Sequence, residues 1–213
     1  METSSTIFYR RRLPHYQPSD ATFFITTRLA GSLPAHVIAV LREEQAFVHK
    51  KLKETKDLEV RQRLMYEHER RYFGRFDEYV NHASTGPKWL AIKEVAEVVA
   101  EAVHFRDGKV YELLTYTIMP NHIHLVFTVR RNDISLYRIL QSLKRHSARE
   151  GNKILNRTGA FWHHESYDHV VRDGVELERI LQYVLLNPVK AGLCKHWKDW
   201  KCTYIRKDLG ILD

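Results

Sequence analysis

The chain contains the segment Tyr116-Thr-Ile-Met-Pro-Asn-His-Ile-His-Leu-Val-Phe-Thr-Val129, which alternates between two kinds of side chain from Asn121 onward. Successive side chains of a β-strand point to opposite faces of a sheet, so this alternation predicts a strand. Pro120 comes just before the strand, where its missing N–H costs no central hydrogen bond. One predicted face is wholly apolar and is expected to face the core: Ile123, Leu125, Phe127 and Val129. The other face carries His122, His124, Val126 and Thr128.

The two histidines of this strand are a candidate metal site. A strand holds side chains two residues apart at a fixed separation, and neutral imidazole is a good metal ligand. The same pattern is compatible with two half-exposed histidines that bind no ion, and by itself it does not separate the two interpretations. Further ligands and a nucleophile elsewhere in the chain would favour the metal site.

Positive charge is concentrated directly after the histidine strand. The chain has 213 residues, enough for one domain or a domain with an inserted arm, and 34 Lys plus Arg against 26 Asp plus Glu give a formal charge of +8. A basic patch beside a candidate metal site favours a polyanionic partner, and nucleic acid is the commonest one. Between residues 130 and 160 the basic residues are Arg130, Arg131, Arg138, Lys144, Arg145, Arg149, Lys153 and Arg157, against Asp133 and Glu150. A second basic cluster consists of Arg10, Arg11 and Arg12.

The cysteines and the hydropathy pattern exclude two classes of protein. Cys194 and Cys202 do not make a disulfide framework, and with His196 they match no common zinc pattern. No apolar run approaches the length that spans a membrane. We therefore expect a soluble protein of a reducing compartment.

Local patterns predict a chain of mixed strands and helices. From residue 42 to 80 the sequence is dense in Glu, Lys and Arg, which is typical of one long helix or two helices that form a solvated arm. Other helices are predicted from near residue 34, over 89–105, over 134–155 and from 173 to about 186. Strands are predicted over 22–28 and 110–118, and the aromatic-rich segment 161–171 is a strand or an extended connection.

The helix predicted over 134–155 is amphipathic and basic. Its inward positions are Leu136, Ile139, Leu140 and Leu143, and its outward positions include Arg138, Lys144, Arg145 and Arg149.

The helix predicted from Asp173, with Glu176 completing a capping box, presents Tyr183 and Asn187 four residues apart on one side. We expect it to stop at about Leu186, since Asn187 precedes a proline. Two imidazoles and an amide oxygen can hold a divalent cation, and the tyrosine would then be the nucleophile. Alternatively, Tyr183 is a boundary residue of an amphipathic helix and Asn187 is merely a helix end.

Three blocks resemble the REP-associated tyrosine transposases, relatives of the small single-strand transposases in the HUH endonuclease superfamily. The similarity runs from about residue 23 to 200 with the blocks in the same order, although the charged segment 42–80 is longer than the connection in compact members. The blocks are Met119-Pro-Asn-His-Ile-His-Leu125, Phe161-Trp162 with Tyr167-Asp168-His169, and Tyr183-Val-Leu-Leu-Asn-Pro-Val-Lys-Ala-Gly-Leu193.

The resemblance implies an α+β fold, a ferredoxin-like sandwich in which an antiparallel sheet has helices on one face and the active site on the other. It implies a single domain over 1–213 with a charged helical insertion around 42–80. By position, His122 and His124 match the metal ligands of the family, Tyr183 the catalytic tyrosine and Asn187 the helix ligand one turn later.

The activity that the resemblance implies is cleavage and rejoining of single-stranded or hairpin DNA through a 5′-phosphotyrosine, with Mg²⁺ or Mn²⁺ as cofactor. It implies a bacterial, cytoplasmic, nucleoid-associated protein that acts as a monomer or dimer without a membrane partner. Contacts to DNA are expected from Arg10, Arg11, Arg12, Arg138, Lys144, Arg145, Arg149 and Lys190, with Trp162 stacking on bases.

Three other functions fit parts of the pattern. In one of them, the charged arm 42–80 mediates protein association and dominates the biology. A domesticated relative would bind hairpin or single-stranded DNA without cutting it. A phosphodiesterase acting on small phosphoesters would use the histidine pair, but it would need a second histidine motif or a water-activating base. The sequence also contains a second polar cluster, formed by His163, His164, Glu165, Asp168 and His169. Polar residues around a bound strand, or a structural hydrogen-bond network, are better interpretations of it than a second metal site.

Overall fold

The computed structural model describes residues 7–10, 14–17, 20–131 and 133–209, without the side chains of 7–10, 14–17 and Glu69. The described residues form two compact units: those up to Leu29 together with those from Lys88 onward, and those from Ala30 to Pro87. In chain order the elements are β1 (Ile7–Arg10), β2 (Pro14–Gln17), β3 (Thr22–Arg28), α1 (Ala35–Glu54), α2 (Leu58–Asn81), α3 (Lys93–His104), β4 (Tyr111–Ile118), β5 (His122–Val129), α4 (Leu136–Ile154), β6 (Tyr167–Val170), α5 (Gly174–Lys190) and β7 (Thr203–Ile205).

The first unit is built on one antiparallel sheet, whose described strands lie in the order β6-β3-β5-β4-β7. The strands β3, β4, β5 and β6, with α3 and α4 between them in sequence, follow the β-α-β-β-α-β pattern of ferredoxin-like folds. β7 extends the sheet beyond β4, and β1 and β2 form a separate antiparallel pair. The predicted fold class is confirmed.

The apolar face of β5 is buried as predicted. Ile123 and Leu125 are 2% exposed, and Phe127 and Val129 are fully buried. They belong to one hydrophobic core with inward residues of α3 and α4, including Val99 on α3. All four inward residues predicted for the basic helix, Leu136, Ile139, Leu140 and Leu143, are buried in the same core.

The histidine face of the sheet is covered by α5 rather than left without a helix. The ring of Tyr183, on α5, lies against the rings of Phe24 and His124. The expectation of helices on one face therefore holds for α3 and α4, while a further helix carries the tyrosine to the other face.

The predicted end of α5 is wrong, because the helix continues through Asn187 and Pro188 to Lys190. Pro188 has no N–H to donate to the carbonyl of Val184, and its ring crowds that carbonyl, but both effects are confined to the last turns of the helix. The last turn remains closed, since the carbonyls of Asn187 and Pro188 accept hydrogen bonds from Ala191 and Leu193, both at 2.9 Å. The predicted N-terminus is confirmed: Asp173 Oδ1 accepts the N–H of Glu176 at 2.8 Å.

The helix predicted over 89–105 is a 3₁₀ turn, Trp89–Ala91, followed by α3. The backbone N–H of Leu90 donates to the carbonyl of Pro120 at 3.1 Å, which ties this turn to the connection between β4 and β5. Cys194 and Cys202 are both free thiols. Among the described helices, none combines the length and the apolarity needed to cross a bilayer.

The second unit consists of α1 and α2, so the charged segment forms two helices, one of the two predicted alternatives. Asp57 begins α2 by accepting the N–H of Val60 at 3.0 Å. The buried core of this unit lies near the start of α1 and the end of α2: Leu33, Val37, Leu41, Phe76 and Val80.

Gly151 tests the packing of α4 against the core. A Cβ at this position would lie 2.7 Å from Cε2 of Phe161, whose side chain is 1% exposed and has no room to move. We expect Gly151→Ala to lower the free energy of unfolding by about 1–3 kcal/mol. This destabilisation exceeds the stabilisation of about 1 kcal/mol that a helix gains when alanine replaces glycine. Urea unfolding followed by circular dichroism measures it.

Gly74→Ala in α2 is the matched control, because no atom lies within 4 Å of the position its Cβ would take. We expect this variant to be more stable than the wild type by about 0.5–1 kcal/mol. A Gly151→Ala protein stabilised to the same extent as Gly74→Ala would contradict the packing described for α4.

Candidate active site

The pairing of β3 with β5 brings four side chains to one face of the sheet. Thr26 lies opposite His124, and Arg28 lies opposite His122. Directly opposed residues of antiparallel strands point to the same face, so all four belong to the histidine face. The residue pattern alone did not indicate a role in the site for Thr26 or Arg28.

The two imidazoles converge. His122 Nε2 and His124 Nε2 lie 3.0 Å apart, and neither residue has exposed surface. His122 Nδ1 lies 2.7 Å from Asn121 Oδ1. An amide oxygen only accepts hydrogen bonds, so the proton of neutral His122 is on Nδ1 and its Nε2 presents a lone pair.

His124 is oriented by a hydroxyl, since its Nδ1 lies 2.8 Å from Thr26 Oγ1. A threonine hydroxyl can donate or accept. When it accepts, His124 Nε2 also presents a lone pair, and two lone pairs then face each other across 3.0 Å. A proton or a metal cation between them removes that repulsion, and hydrogen-bonded outer nitrogens are typical of histidines that bind metals.

Asn187 supplies a buried oxygen on the same side. Its amide nitrogen donates to the hydroxyl of Tyr183 at 3.1 Å, and the residue has no exposed surface. Its Oδ1 is buried without a hydrogen-bond partner among the described residues. An unsatisfied buried acceptor costs about 1–3 kcal/mol, so such an atom needs an explanation. A divalent cation bound by two imidazole nitrogens and this oxygen fits the donor set.

Tyr183 lies against two rings and close to one ammonium group. Its ring lies 6.0 Å from that of Phe24, edge to face, and 5.4 Å from that of His124. The ammonium of Lys190, two turns later on α5, lies 5.2 Å from the centre of the tyrosine ring. The structure therefore brings together His122, His124, Tyr183 and Asn187, with Lys190 beside them.

A third histidine, His163, lies near the end of β3. The N–H of His163 donates to the carbonyl of Arg28 at 2.9 Å, and Arg28 is 4% exposed. The pKa of His163 is lowered to about 4, mainly by burial and to a smaller extent by the nearby guanidinium of Arg28. His163 is therefore neutral near pH 7. In the other part of this polar cluster, His169 Nε2 lies 3.0 Å from Glu176 Oε1, which agrees with a hydrogen-bond network.

The basic side chains expected to bind DNA differ in whether they already interact with other groups of the protein. Lys144 donates to the carbonyls of His163 and His164 at 2.9 and 3.2 Å, so it holds that segment in place. Arg149 Nε lies 2.6 Å from a carboxylate oxygen of Glu150. Within the described residues, the exposed side chains of Arg138 and Arg145 have no ion pair or side-chain hydrogen bond.

Trp162 does not offer the stacking surface that was expected. It is 7% exposed, packs in the core, and donates its indole N–H to Ser147 Oγ at 2.9 Å. The prediction of stacking failed because a large aromatic side chain next to Phe161 can pack in a hydrophobic core as readily as it can stack on a base. Arg11 and Arg12 lie outside the described residues, and so does the side chain of Arg10.

The comparisons with known proteins agree with this fold. Residues 88–187 match the family model described as "Transposase IS200 like". A solved structure of a REP-associated tyrosine transposase bound to a REP hairpin aligns with a TM-score of 0.52 and 15% identity, covering 92% of this chain and 80% of that one.

Two relatives are similar in sequence. The chain is 28% identical over 108 residues to a Haemophilus influenzae protein assigned to the REP-associated tyrosine transposases, and this covers 46% of the chain and 61% of the relative. It is 22% identical over 110 residues to the REP-associated tyrosine transposase of Escherichia coli, covering 50% of the chain and 62% of that protein. The match thus spans about three fifths of each relative's length.

Nearly half of the chain is thus similar to the IS200-like transposases. Within that class, the chain is similar in sequence and in fold to the REP-associated tyrosine transposases. The resemblance noted in the sequence is confirmed.

Removing the hydroxyl of Thr26 tests the orientation of His124. We expect Thr26→Val to weaken the binding of Mn²⁺ about 10–100-fold, the usual cost of losing a hydrogen bond to a metal-binding histidine. Isothermal titration with MnCl₂ measures the affinity directly and requires no DNA.

Thr22→Val provides the control, because Thr22 Oγ1 makes a similar bond, 2.8 Å to Thr128 Oγ1, between the same two strands. It should leave Mn²⁺ affinity unchanged. Equal affinities in the two variants would show that Thr26 does not orient a metal ligand.

Proposed function

We propose that this chain cleaves and rejoins single-stranded or hairpin DNA through a covalent bond between Tyr183 and a 5′-phosphate. The observation that carries the proposal is the convergence on one face of the sheet: Tyr183 shares a hydrogen bond with Asn187 and lies against His124, which converges with His122. The hairpin bound to the solved relative supports hairpin DNA as the substrate.

The chemistry proceeds by attack of the Tyr183 oxygen on phosphorus. The bond from phosphorus to the 3′-oxygen breaks, the phenol gives up its proton, and the leaving 3′-oxygen takes one up. A 5′-phosphotyrosine remains. Attack by the 3′-hydroxyl of another strand end reverses the step and frees the tyrosine, so the phosphodiester is exchanged without an external energy source.

The side chains of the site have separate roles in this step. The amide N–H of Asn187 holds the Tyr183 oxygen, and the packing of the ring against Phe24 restricts its rotation. Lys190 supplies positive charge next to the tyrosine, where it can attract the phosphate. Arg28 adds a second positive group on the same face.

A divalent cation, Mg²⁺ or Mn²⁺, would be held by His122 Nε2, His124 Nε2 and Asn187 Oδ1. When bound, it would supply a positive charge that polarises the phosphate and stabilises the charge developing on its oxygens.

DNA contacts away from this site would come foremost from Arg138 and Arg145. Both are on α4, which packs against the core face of the sheet, whereas Tyr183 is on α5 at the other face. Strands lie about 4.8 Å apart, so DNA that reaches both faces has to pass around an edge of a sheet some 20 Å wide. These arginines would therefore bind nucleotides distant from the cleaved bond.

Replacing the nucleophile is the decisive test. We expect Tyr183→Phe to abolish the covalent adduct with a hairpin oligonucleotide that carries a single-stranded extension, because a phenyl ring has no oxygen to attack phosphorus. Binding should be retained. Denaturing gel electrophoresis with MgCl₂ or MnCl₂ detects the adduct, and a mobility-shift assay measures binding.

Tyr167→Phe is the matched control, since Tyr167 also packs against Phe24, with ring centres 6.2 Å apart. It should still form the adduct. An adduct that survives in Tyr183→Phe and disappears in Tyr167→Phe would move the nucleophile to Tyr167. A wild-type protein that binds hairpins but never forms an adduct would favour a non-catalytic DNA-binding protein.

Removing positive charge from α4 tests whether this helix contacts DNA away from the cleaved bond. We expect Arg138→Ala with Arg145→Ala to reduce affinity for a long hairpin and to lower the slope of log K against log salt by about 1.4–1.8. The double variant Arg149→Ala with Lys153→Ala removes as much charge, but both residues already pair with Glu150, so its effect should be smaller. Fluorescence anisotropy over a salt series distinguishes them, and equal slopes for the two double variants would count against the assignment.

A further inference from the structure

The helical arm consists of α1 and α2, and among the described side chains of its outer half, around residues 42–71, none is fully buried. The buried cluster of this unit involves only its inner half, from Leu33 to Leu41 and from Phe76 to Val80. Beyond it, large apolar side chains are exposed to solvent, with Phe47 at 69% and Met65 at 44%. Isolated apolar side chains are common on protein surfaces, but several together on two adjacent helices mark an interaction site.

Phe47 is one of the side chains that line a groove of about 520 Å³ between α1 and α2. Phe47, Val48 and Leu52 line it from α1, and Leu64 and Tyr72 line it from α2. Charged residues of both signs form its rim, including Glu43, Glu44, Lys51, Arg71 and Arg75. An apolar floor with a rim of mixed charge is suited to a helix whose own charges are mixed.

The charges on α1 are arranged symmetrically around Phe47. Glu43 and Glu44 precede it by four and three residues, and Lys50 and Lys51 follow it by three and four. Residues three or four apart share one side of a helix, so the five residues form a single face, the Phe47 face. One end of this face is acidic and the other is basic.

Such a face is complementary to itself. When two copies of α1 pack antiparallel with Phe47 at the centre, Glu43 lies opposite the partner's Lys51, and Glu44 lies opposite the partner's Lys50. Both arrangements occur twice because a twofold axis relates the copies. A parallel packing would place like charges together.

We propose that the Phe47 face is the contact surface of a homodimer, in which the arms of two chains pack α1 against α1 in antiparallel orientation. Phe47 of each copy enters the groove of the other, and the four helices form a bundle whose interior is the apolar lining that the isolated arm exposes. The occupant of the groove is thus a second copy of this chain.

The apolar anchor and the charges contribute differently. Buried aromatic side chains at the centre of an interface carry most of its affinity, whereas ion pairs at a wet rim mainly select the partner and its orientation. We therefore expect Phe47 to determine whether the dimer forms and the four charges to determine which chains pair.

Sedimentation equilibrium of the full-length chain tests the anchor. The wild type should dimerise reversibly below about 100 µM, and Phe47→Asp should weaken the dimer at least tenfold. Phe105→Asp is the matched control, because Phe105 is 64% exposed and lies outside the arm. It should dimerise like the wild type. A monomeric wild type, or equal dimerisation of the Phe47→Asp and wild-type chains, would overturn the proposal.

Charge exchange tests the orientation. A chain with Glu43→Lys and Glu44→Lys has an all-positive face, and a chain with Lys50→Glu and Lys51→Glu has an all-negative one. Each alone should dimerise at least tenfold more weakly than the wild type, while an equimolar mixture should form heterodimers, seen by native mass spectrometry. Glu43, Lys50 and Lys51 are exposed, whereas Glu44 is half-buried and also forms an ion pair with Arg75 on α2, so circular dichroism checks that the helices persist in each variant. Homodimers as strong as those of the wild type in both variants would exclude the antiparallel arrangement.

This inference is independent of the proposed DNA chemistry. Tyr183→Phe should dimerise normally, and a failure of dimerisation would leave the adduct assay as it stands.

Discussion

The pairing of β3 with β5 is the constraint on which the site depends. It sets Thr26 opposite His124 and Arg28 opposite His122, and the register is maintained from the other side of the sheet by pairs such as Phe23 with Phe127. A slip of one residue would turn every side chain of β3 to the opposite face. The polar groups that orient the imidazoles are therefore positioned by apolar residues that never contact them.

Local periodicity was sufficient for much of this architecture. Three features were predicted from neighbouring residues: the alternation of β5, the buried stripe of α4 and the Asp173 cap of α5. Each depends on side chains that are close together in the sequence, within two helical turns or two strand positions. The resemblance added the antiparallel sheet with helices on one face and the partnership of the tyrosine with the histidines. Neither could be derived from spacing alone, since the site joins residues about sixty positions apart.

Other features depend on contacts that a single sequence does not reveal. The roles of Thr26 and Asn121 follow from a register between strands nearly 100 residues apart and from the rotation of an imidazole. In β4 the register shifts between Leu113 and Thr115, so that Leu114 is an extra residue that reverses the alternation. Trp162 was expected to stack on bases because an aromatic side chain suits a core and a nucleic acid equally well. Its burial and its indole hydrogen bond to Ser147 show that it belongs to the core.

The side-chain amide of Asn187 has two chemically different ends, and the hydrogen bond to Tyr183 uses only the nitrogen. Half a rotation of the amide would exchange the ends, present an acceptor to the phenol oxygen, and leave that oxygen to act as a donor. A cation bound at the amide oxygen would prevent this rotation. Binding of the ion would then also fix the orientation of the attacking oxygen. Tyr183 would therefore not be fully oriented until the metal is bound.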